Sequence, residues 1–251
     1  MAIPYALTDR IGSRATLGLI VLQSDETIEQ DFRRIFRADD IAFYVSRVPS
    51  GAKVTTGTLG AMQAELPRAA GLLPPSLDYG AIGYACTSGA TVIGPDRVAA
   101  LIGGACDVKA VTNPLSATLA AFAALGVRRI GLVSPYIASV SEPLRRAFAA
   151  AGFDVPASVS FDEREEARVA RIDPASIRDA ARAVGQGDVD AVFLSCTNLR
   201  TLDILDGLEA ELGKPVISSN QALAWHMAQL AGLESCDGRF GRLMTQEQRH
   251  A

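Results

Sequence analysis

Histidine is almost missing from this chain of 251 residues: only His226 and His250 are present. His-based catalysis and His-rich metal sites therefore have little to build on, and no metal site is expected. A Cys-His protease would have to recruit His226 or the tail histidine. The four cysteines, Cys86, Cys106, Cys196 and Cys236, are far apart and form no C-x-x-C pair. That excludes a zinc ribbon and a thioredoxin motif, and in a reducing compartment a disulfide is not expected. There is no basic run, and the formal net charge is −4, so nothing offers an electrostatic footprint for nucleic acid. No apolar stretch approaches the roughly 20 residues of a membrane helix. The start, Met1-Ala2-Ile3-Pro4-Tyr5, lacks the charged-then-apolar pattern of a signal peptide. The expected location is the cytoplasm, with neither membrane nor nucleic acid as partner. Gly12, Gly18, Gly94 and the Gly103-Gly104 pair fit neither G-x-G-x-x-G nor phosphate-loop spacing, so nucleotide binding has little support.

What is present is ample core material: 49% of residues are hydrophobic and 21% charged, enough for one large domain or two of moderate size. Short, continuously apolar runs alternate with amphipathic ones. Strands are predicted at 16–22, 41–48, 79–85, 108–111, 129–133, 154–159, 191–195 and 215–217. Helices are predicted at 26–36, 56–69, 95–102, 116–125, 141–151, 176–184, 202–212 and 221–230. Continuously apolar strands suit sheets covered on both faces, and strict alternation predicts α/β architecture with parallel sheets. The chain also looks duplicated. Gly18-Leu19-Ile20-Val21 matches Gly131-Leu132-Val133-Ser134 at an offset of 131 − 18 = 113. Cys86 and Cys196 match at 196 − 86 = 110. The expected fold is two similar Rossmann-like (flavodoxin-like) halves related by a pseudo-twofold, with the active site between them. The first half takes 1–113 plus 215–251, the second 114–214. The junction lies near Asn113-Pro114, and the strand at 215–217 and the last helix return to the first half.

The cysteine segments carry the functional signal. Ile82-Gly83-Tyr84-Ala85-Cys86-Thr87-Ser88-Gly89 and Val192-Phe193-Leu194-Ser195-Cys196-Thr197-Asn198-Leu199 each end an apolar run in Cys-Thr and precede a helical pattern. In open parallel sheets the ligand crevice lies beyond the carboxyl ends of the strands, which is where both cysteines fall. A lone free cysteine is usually a small buried filler; two in matched settings favour function. At a helix start a thiol is expected to shift toward thiolate. Thr87, Ser88, Thr197 and Asn198 add hydroxyls, an amide and backbone N–H groups that can cradle a carboxylate. One thiolate could move a proton while the other thiol answers from the opposite face, or one could add to an activated alkene. Neither route needs a cofactor. Tyr136 follows a strand and should reach the crevice, or else pack as a surface tyrosine. Gln23-Ser24-Asp25-Glu26-Thr27 follows the first strand, where Ser24 or Asp25 reads as a helix cap, compatible with ligand contact. Asn113 reads as a turn and cap. The acidic run 162–168 reads as a solvated loop or helix face, His226 as a helix residue packed beside Trp225, Cys106 as structural, and Cys236 as uninvolved.

With both cysteines placed, the chain resembles the aspartate/glutamate racemase superfamily. Within it the likeness is to the maleate cis-trans isomerase and arylmalonate decarboxylase branch, nearest to members linked to ectoine utilisation. It rests on Gly83 to Gly89, Ser134-Pro135-Tyr136, Arg171-Ile172-Asp173-Pro174 and Ser195-Cys196-Thr197-Asn198. The resemblance implies two catalytic cysteines, Cys86 and Cys196, and no cofactor. It implies substrate binding by Gln23, Asp25, Thr87, Ser88, Tyr136, Glu166, Thr197 and Asn198. It also implies a small carboxylate substrate and a homo-oligomer. The decarboxylase has glycine where Cys86 stands, so both thiols argue for isomerisation or racemisation. Maleate isomerases carry asparagines where this chain has Asp25 and Glu166. Two acids facing a dicarboxylate repel it, which keeps an amine-bearing amino-acid derivative in play beside a maleate-like dicarboxylate. The alternatives are an arylmalonate-type decarboxylase and a non-catalytic small-molecule binding protein.

Overall fold

β1 (Ala15–Leu22) is buried at all but one residue, and a strand without a wet face needs cover on both sides. In the computed structural model, which describes residues 2–233 and 239–246, it lies inside a parallel sheet. Cys236 and His250 fall outside the described residues. β1 pairs with β2 (Ile41–Val48) on one side and β3 (Ala81–Ala85) on the other, and β4 (Val111–Thr112) extends the sheet beyond β3. β5 (Arg129–Tyr136) lies between β6 (Asp154–Glu163) and β7 (Ala191–Leu194), with β8 (Val216–Ser218) beyond β7. The strand orders are β2-β1-β3-β4 and β6-β5-β7-β8. The second sheet thus repeats the first, four strands on, as a duplication requires. The matched glycines sit on the two central strands where neighbours come close. A Cβ on Gly18 would lie 2.8 Å from the Ile82 side chain, and one on Gly131 2.9 Å from the Val184 carbonyl oxygen.

Helices cover the sheets. In the first part of the chain these are α1 (Ile28–Ile35), α2 (Thr56–Ala61), α3 (Leu66–Ala70), α4 (Thr87–Ile93), α5 (Pro95–Gly103) and α6 (Pro114–Leu125). In the second they are α7 (Ala138–Ala150), α8 (Glu166–Val169), α9 (Pro174–Gly185), α10 (Leu205–Leu212) and α11 (Ser219–Leu230). The helix predicted over 56–69 is broken at its centre into α2, a 3-10 turn (Met62–Ala64) and α3. Pro67 stands in the first turn of α3, where its missing N–H costs nothing but ends any helix arriving from upstream. Asn113 caps α6 through Oδ1, which accepts from Ser116 N at 3.1 Å.

One element departs from the expected division. The strand placed with the first half is β8, hydrogen-bonded to β7 in the second sheet. Its three residues are fully buried, and burying an edge of β7 satisfies backbone groups that no other strand reaches. Only then does the chain cross over: α11 packs on α6, β3 and α1. α6 in turn reaches the second sheet through Phe122, whose ring meets Phe148, Phe153 and Phe193 at centroid distances of 5.3, 5.2 and 5.9 Å. Among the described residues no helix is long and apolar enough to cross a membrane.

Phe122 joins α6 to α7, to β7 and to the turn before β6, so its loss leaves a cavity that cannot collapse. Phe122→Ala is expected to lower unfolding free energy by about 3–5 kcal/mol, read from urea denaturation.

Candidate active site

β3 ends at Ala85, and Cys86 is the N-cap of α4: its Sγ accepts from Gly89 N at 3.1 Å. Gly89 must be glycine for this. A Cβ there would fall 2.5 Å from the Tyr84 hydroxyl and 2.9 Å from Cys86 Sγ. β7 ends at Leu194, and Cys196 follows with φ +138°, a conformation that costs a non-glycine residue of order 1–3 kcal/mol. It is held by Cys196 N donating to Ser219 Oγ at 3.0 Å. It is also held by Asn198 N, which donates to the Cys196 sulfur at 3.3 Å. No helix begins at Cys196. Residues 197–201 form a turn before the 3-10 segment Leu202–Ile204, so the expected helix dipole acts on Cys86 alone.

The two cysteines line one small cavity with Leu22, Asp25, Thr87, Ser88, Tyr136, Glu166 and Thr197. Eight of the ten expected site residues thus meet there. Asn198 stands just behind. Its Nδ2 donates to Glu166 Oε2 at 3.2 Å, and its Oδ1 accepts from Glu26 N at 2.9 Å. Gln23 is a correction: its side chain is exposed and does not line the cavity, and its backbone N–H donates to Val48 O at 2.9 Å. The last residue of β1, Leu22, forms the wall instead, because side chains alternate along a strand. Sequence reasoning also missed Ser219, whose Oγ accepts from Thr87 Oγ1 at 2.8 Å besides orienting Cys196. The signal was available: Ser218-Ser219-Asn220 ends a strand in small polar residues, as the cysteine segments do, and all three are fully buried. Cys106 is away from the cavity, its thiol donating to Ile102 O at 3.4 Å. His226 stacks beside Trp225 and shares a 2.8 Å hydrogen bond with Thr112.

The cavity is acidic. None of its lining residues is basic, yet Asp25 is 5% and Glu166 4% exposed. Asp25 Oδ1 caps the entry to α1, accepting from Thr27 N at 2.8 Å and Ile28 N at 2.9 Å. Its Oδ2 is buried with no partner at good hydrogen-bonding geometry; the Thr197 hydroxyl is close enough to lower the Asp25 carboxyl and also lies 3.3 Å from Ala85 O. Glu166 is satisfied on both oxygens, since the Tyr136 hydroxyl donates to Oε1 at 2.8 Å. Glu166 therefore leaves the acidic run expected to be solvated, entering the interior at the start of α8. Desolvation raises both carboxyls above their ordinary values. It acts on the thiols too, correcting the expected thiolates. Burial, then the Glu166 charge, push Cys86 up to about 12 and Cys196 well above its ordinary value. The resting thiols are protonated.

A family described as arylmalonate decarboxylase matches residues 96–244. The arylmalonate decarboxylase of Bordetella bronchiseptica is 40% identical over 124 residues, spanning 48% of this chain and about half, 51%, of that relative. The maleate isomerase of Pseudomonas putida is 26% identical over 243 residues, 91% of this chain and 96% of the relative. Among solved structures, a mutant Nocardia farcinica maleate cis-trans isomerase with a covalently bound succinylcysteine intermediate superposes with a TM-score of 0.84. It is 23% identical and covers 94% of this chain and 99% of that one. A double mutant of arylmalonate decarboxylase in a liganded form gives 0.82 at 27% identity, over 91% and 98%.

Because Asp25 binds a proton more tightly folded than unfolded, its contribution is full below the unfolded value and is lost as pH rises through the folded one. Asparagine keeps the capping oxygen and carries no charge. Asp25→Asn is expected to be more stable than the parent at pH 7 by about 1–3 kcal/mol, the gap closing toward pH 4, in urea titrations across pH.

Proposed function

The chain belongs to the arylmalonate decarboxylase family, and on that premise we propose that it is a cofactor-independent isomerase using Cys86 and Cys196 on a small carboxylic acid that bears an amine. The observation that carries this is the acidic cavity holding both thiols. The hydroxyls of Thr87, Ser88 and Thr197 and the N–H groups opening α4 suit a substrate carboxylate. The unpartnered Asp25 Oδ2 suits an ammonium group. An α-carbon held between them lies against both sulfurs, so that one takes its proton and the other returns a proton on the opposite face. The net change is inversion, without oxidation or loss of carbon.

A second reading follows the relatives called maleate isomerases: a thiolate adds to an alkene, the central bond rotates, and the thiolate leaves. A cysteine adduct has been seen in one such protein. Charge weighs against it here. Two unit charges of like sign 4 Å apart repel by about 4 kcal/mol at an effective dielectric constant near 20, and this cavity brings two carboxylates to a dianion. Decarboxylation is disfavoured by the retention of Cys86 beside Cys196.

Incubation with α-amino acids and their N-substituted derivatives in deuterium oxide is expected to give proton-NMR loss of the α-hydrogen, reduced at least 1,000-fold, about the scale of one acid–base group, in Cys86→Ala and Cys196→Ala. Both folded variants exchanging at the parental rate would end the proposal. Maleate is expected to yield no fumarate. Restoring the neutral amides with Asp25→Asn and Glu166→Gln together is expected to tighten maleate binding at least tenfold, measured by calorimetry.

A further inference from the structure

Proposed catalysis needs a thiolate, and the free protein holds both thiols protonated. Losing a proton from Cys196 to solvent would leave a thiolate beside the Glu166 carboxylate, two negative charges in one buried cavity. The geometry offers another route. The Tyr136 hydroxyl has a single proton, and it is directed at Glu166 Oε1, 2.8 Å away. In the 3.1 Å contact between that hydroxyl and the Cys196 sulfur either atom can donate; with Glu166 ionised and taking the tyrosine proton, the thiol is the donor. The result is a chain with one direction, Cys196 to Tyr136 to Glu166. Asn198 Nδ2 holds the far carboxylate oxygen at 3.2 Å, which fixes Oε1 toward Tyr136. Cys86 also has a tyrosine beside it but no carboxylate behind that tyrosine: its sulfur accepts from Gly89 N and meets the Tyr84 hydroxyl, whose onward contact is Met62 Sδ at 3.7 Å.

We infer that Glu166 is the proton acceptor for Cys196, reached through the Tyr136 hydroxyl. Cys196 S–H gives its proton to the tyrosine oxygen as Tyr136 O–H gives its own to Glu166 Oε1. One S–H bond and one O–H bond break, one O–H bond re-forms on tyrosine and one forms on the carboxyl, and the charge moves from carboxylate to sulfur. Net charge in the cavity stays the same, and no water or co-reactant takes part. The raised carboxyl of Glu166 makes it a stronger base than a solvated glutamate. The groups facing it are Tyr136 from β5, Cys196 from the loop after β7, Asp25 from the loop after β1, Cys86 from the start of α4, and the exposed Lys53 across a neighbouring depression. The relay makes the two thiols unequal: Cys196 is the internally activated base, and Cys86 is the thiol that starts as a proton donor. Glu166 is a positioning residue in this scheme, acting through Tyr136.

The inference rests on the proposed use of the cysteines, but its test needs no substrate, so its failure is distinguishable from failure of that proposal. The full chain is alkylated with iodoacetamide between pH 6 and 9, and the rates at Cys86 and Cys196 are separated by peptide mass spectrometry. An internal proton exchange gives a thiolate fraction independent of pH while the pair shares one proton. The Cys196 rate is therefore expected to be flat across neutral pH, while the Cys86 rate rises about tenfold per unit as an ordinary thiol does. In Glu166→Gln, and separately in Tyr136→Phe, the Cys196 rate is expected to become as steep as that of Cys86. A Cys196 rate already rising tenfold per unit in the parent overturns the relay, as does a profile that stays flat in either variant. The Cys86 profile in the same sample reports whether the cavity is intact.

Discussion

Asn198 is the residue on which the two halves and the chemistry both hang. Its side-chain oxygen accepts from Glu26 N, and its backbone oxygen accepts from the Thr27 hydroxyl at 3.0 Å, tying the loop after β7 to the start of α1. Its amide nitrogen holds Glu166, and its backbone N–H reaches the Cys196 sulfur. A buried residue whose side chain and backbone together hold four partners cannot be moved without stranding several of them. The same ties hold Cys196 in a backbone conformation it would not choose alone. The cavity between the sheets exists because this loop is locked to the opposite half.

The locked cavity is built against stability. One carboxylate oxygen has only the Thr197 hydroxyl within reach, a second carboxylate is buried nearby, and among the described residues no cation lines the space. Such groups cost folding free energy and are retained where a ligand supplies what is missing. The proposed amine-bearing acid would supply that complement, positive charge beside a carboxylate cradle. The protonated thiols fit the same logic. Each is desolvated and repelled by Glu166, so an ammonium group entering the cavity favours thiolate and carboxylate together.

Asymmetry between the sulfurs is the other consequence of the fold. The two halves share a strand order, and the sequence repeats Cys-Thr at both strand ends. The supporting shells differ nonetheless. Cys86 sits on a helix N-terminus with backbone N–H groups and the Tyr84 hydroxyl around it, and no carboxylate behind that hydroxyl. Cys196 sits in a turn with a tyrosine and a carboxylate behind it. A duplicated scaffold has placed two like nucleophiles in unlike surroundings, which suits a reaction needing a donor on one face and an acceptor on the other.

Much of this was legible in residue order. Continuously apolar strands alternating with helices could pack only as covered parallel sheets, and the offsets near 110 disclosed the repeat. Parallel topology puts strand ends on the crevice, which located Cys86, Cys196 and Tyr136. Asp25 was recognisable as a cap because that role is local. What stayed hidden depended on partners distant in sequence. β8 joins the second sheet because β7 had an open edge. Gln23 yields the wall to Leu22 because of how the end of β1 faces the cavity. The acidic run loses Glu166 to the interior, and both thiols rise instead of falling because burial and a carboxylate 30 positions from Tyr136 outweigh a helix end. The sequence alone determined which reactive groups the protein possesses and at which strand ends they stand, since pattern and polarity are local properties of the chain. Only the tertiary structure decided their protonation, their orientation and the unlike surroundings of the two thiols, since desolvation and charge act through space.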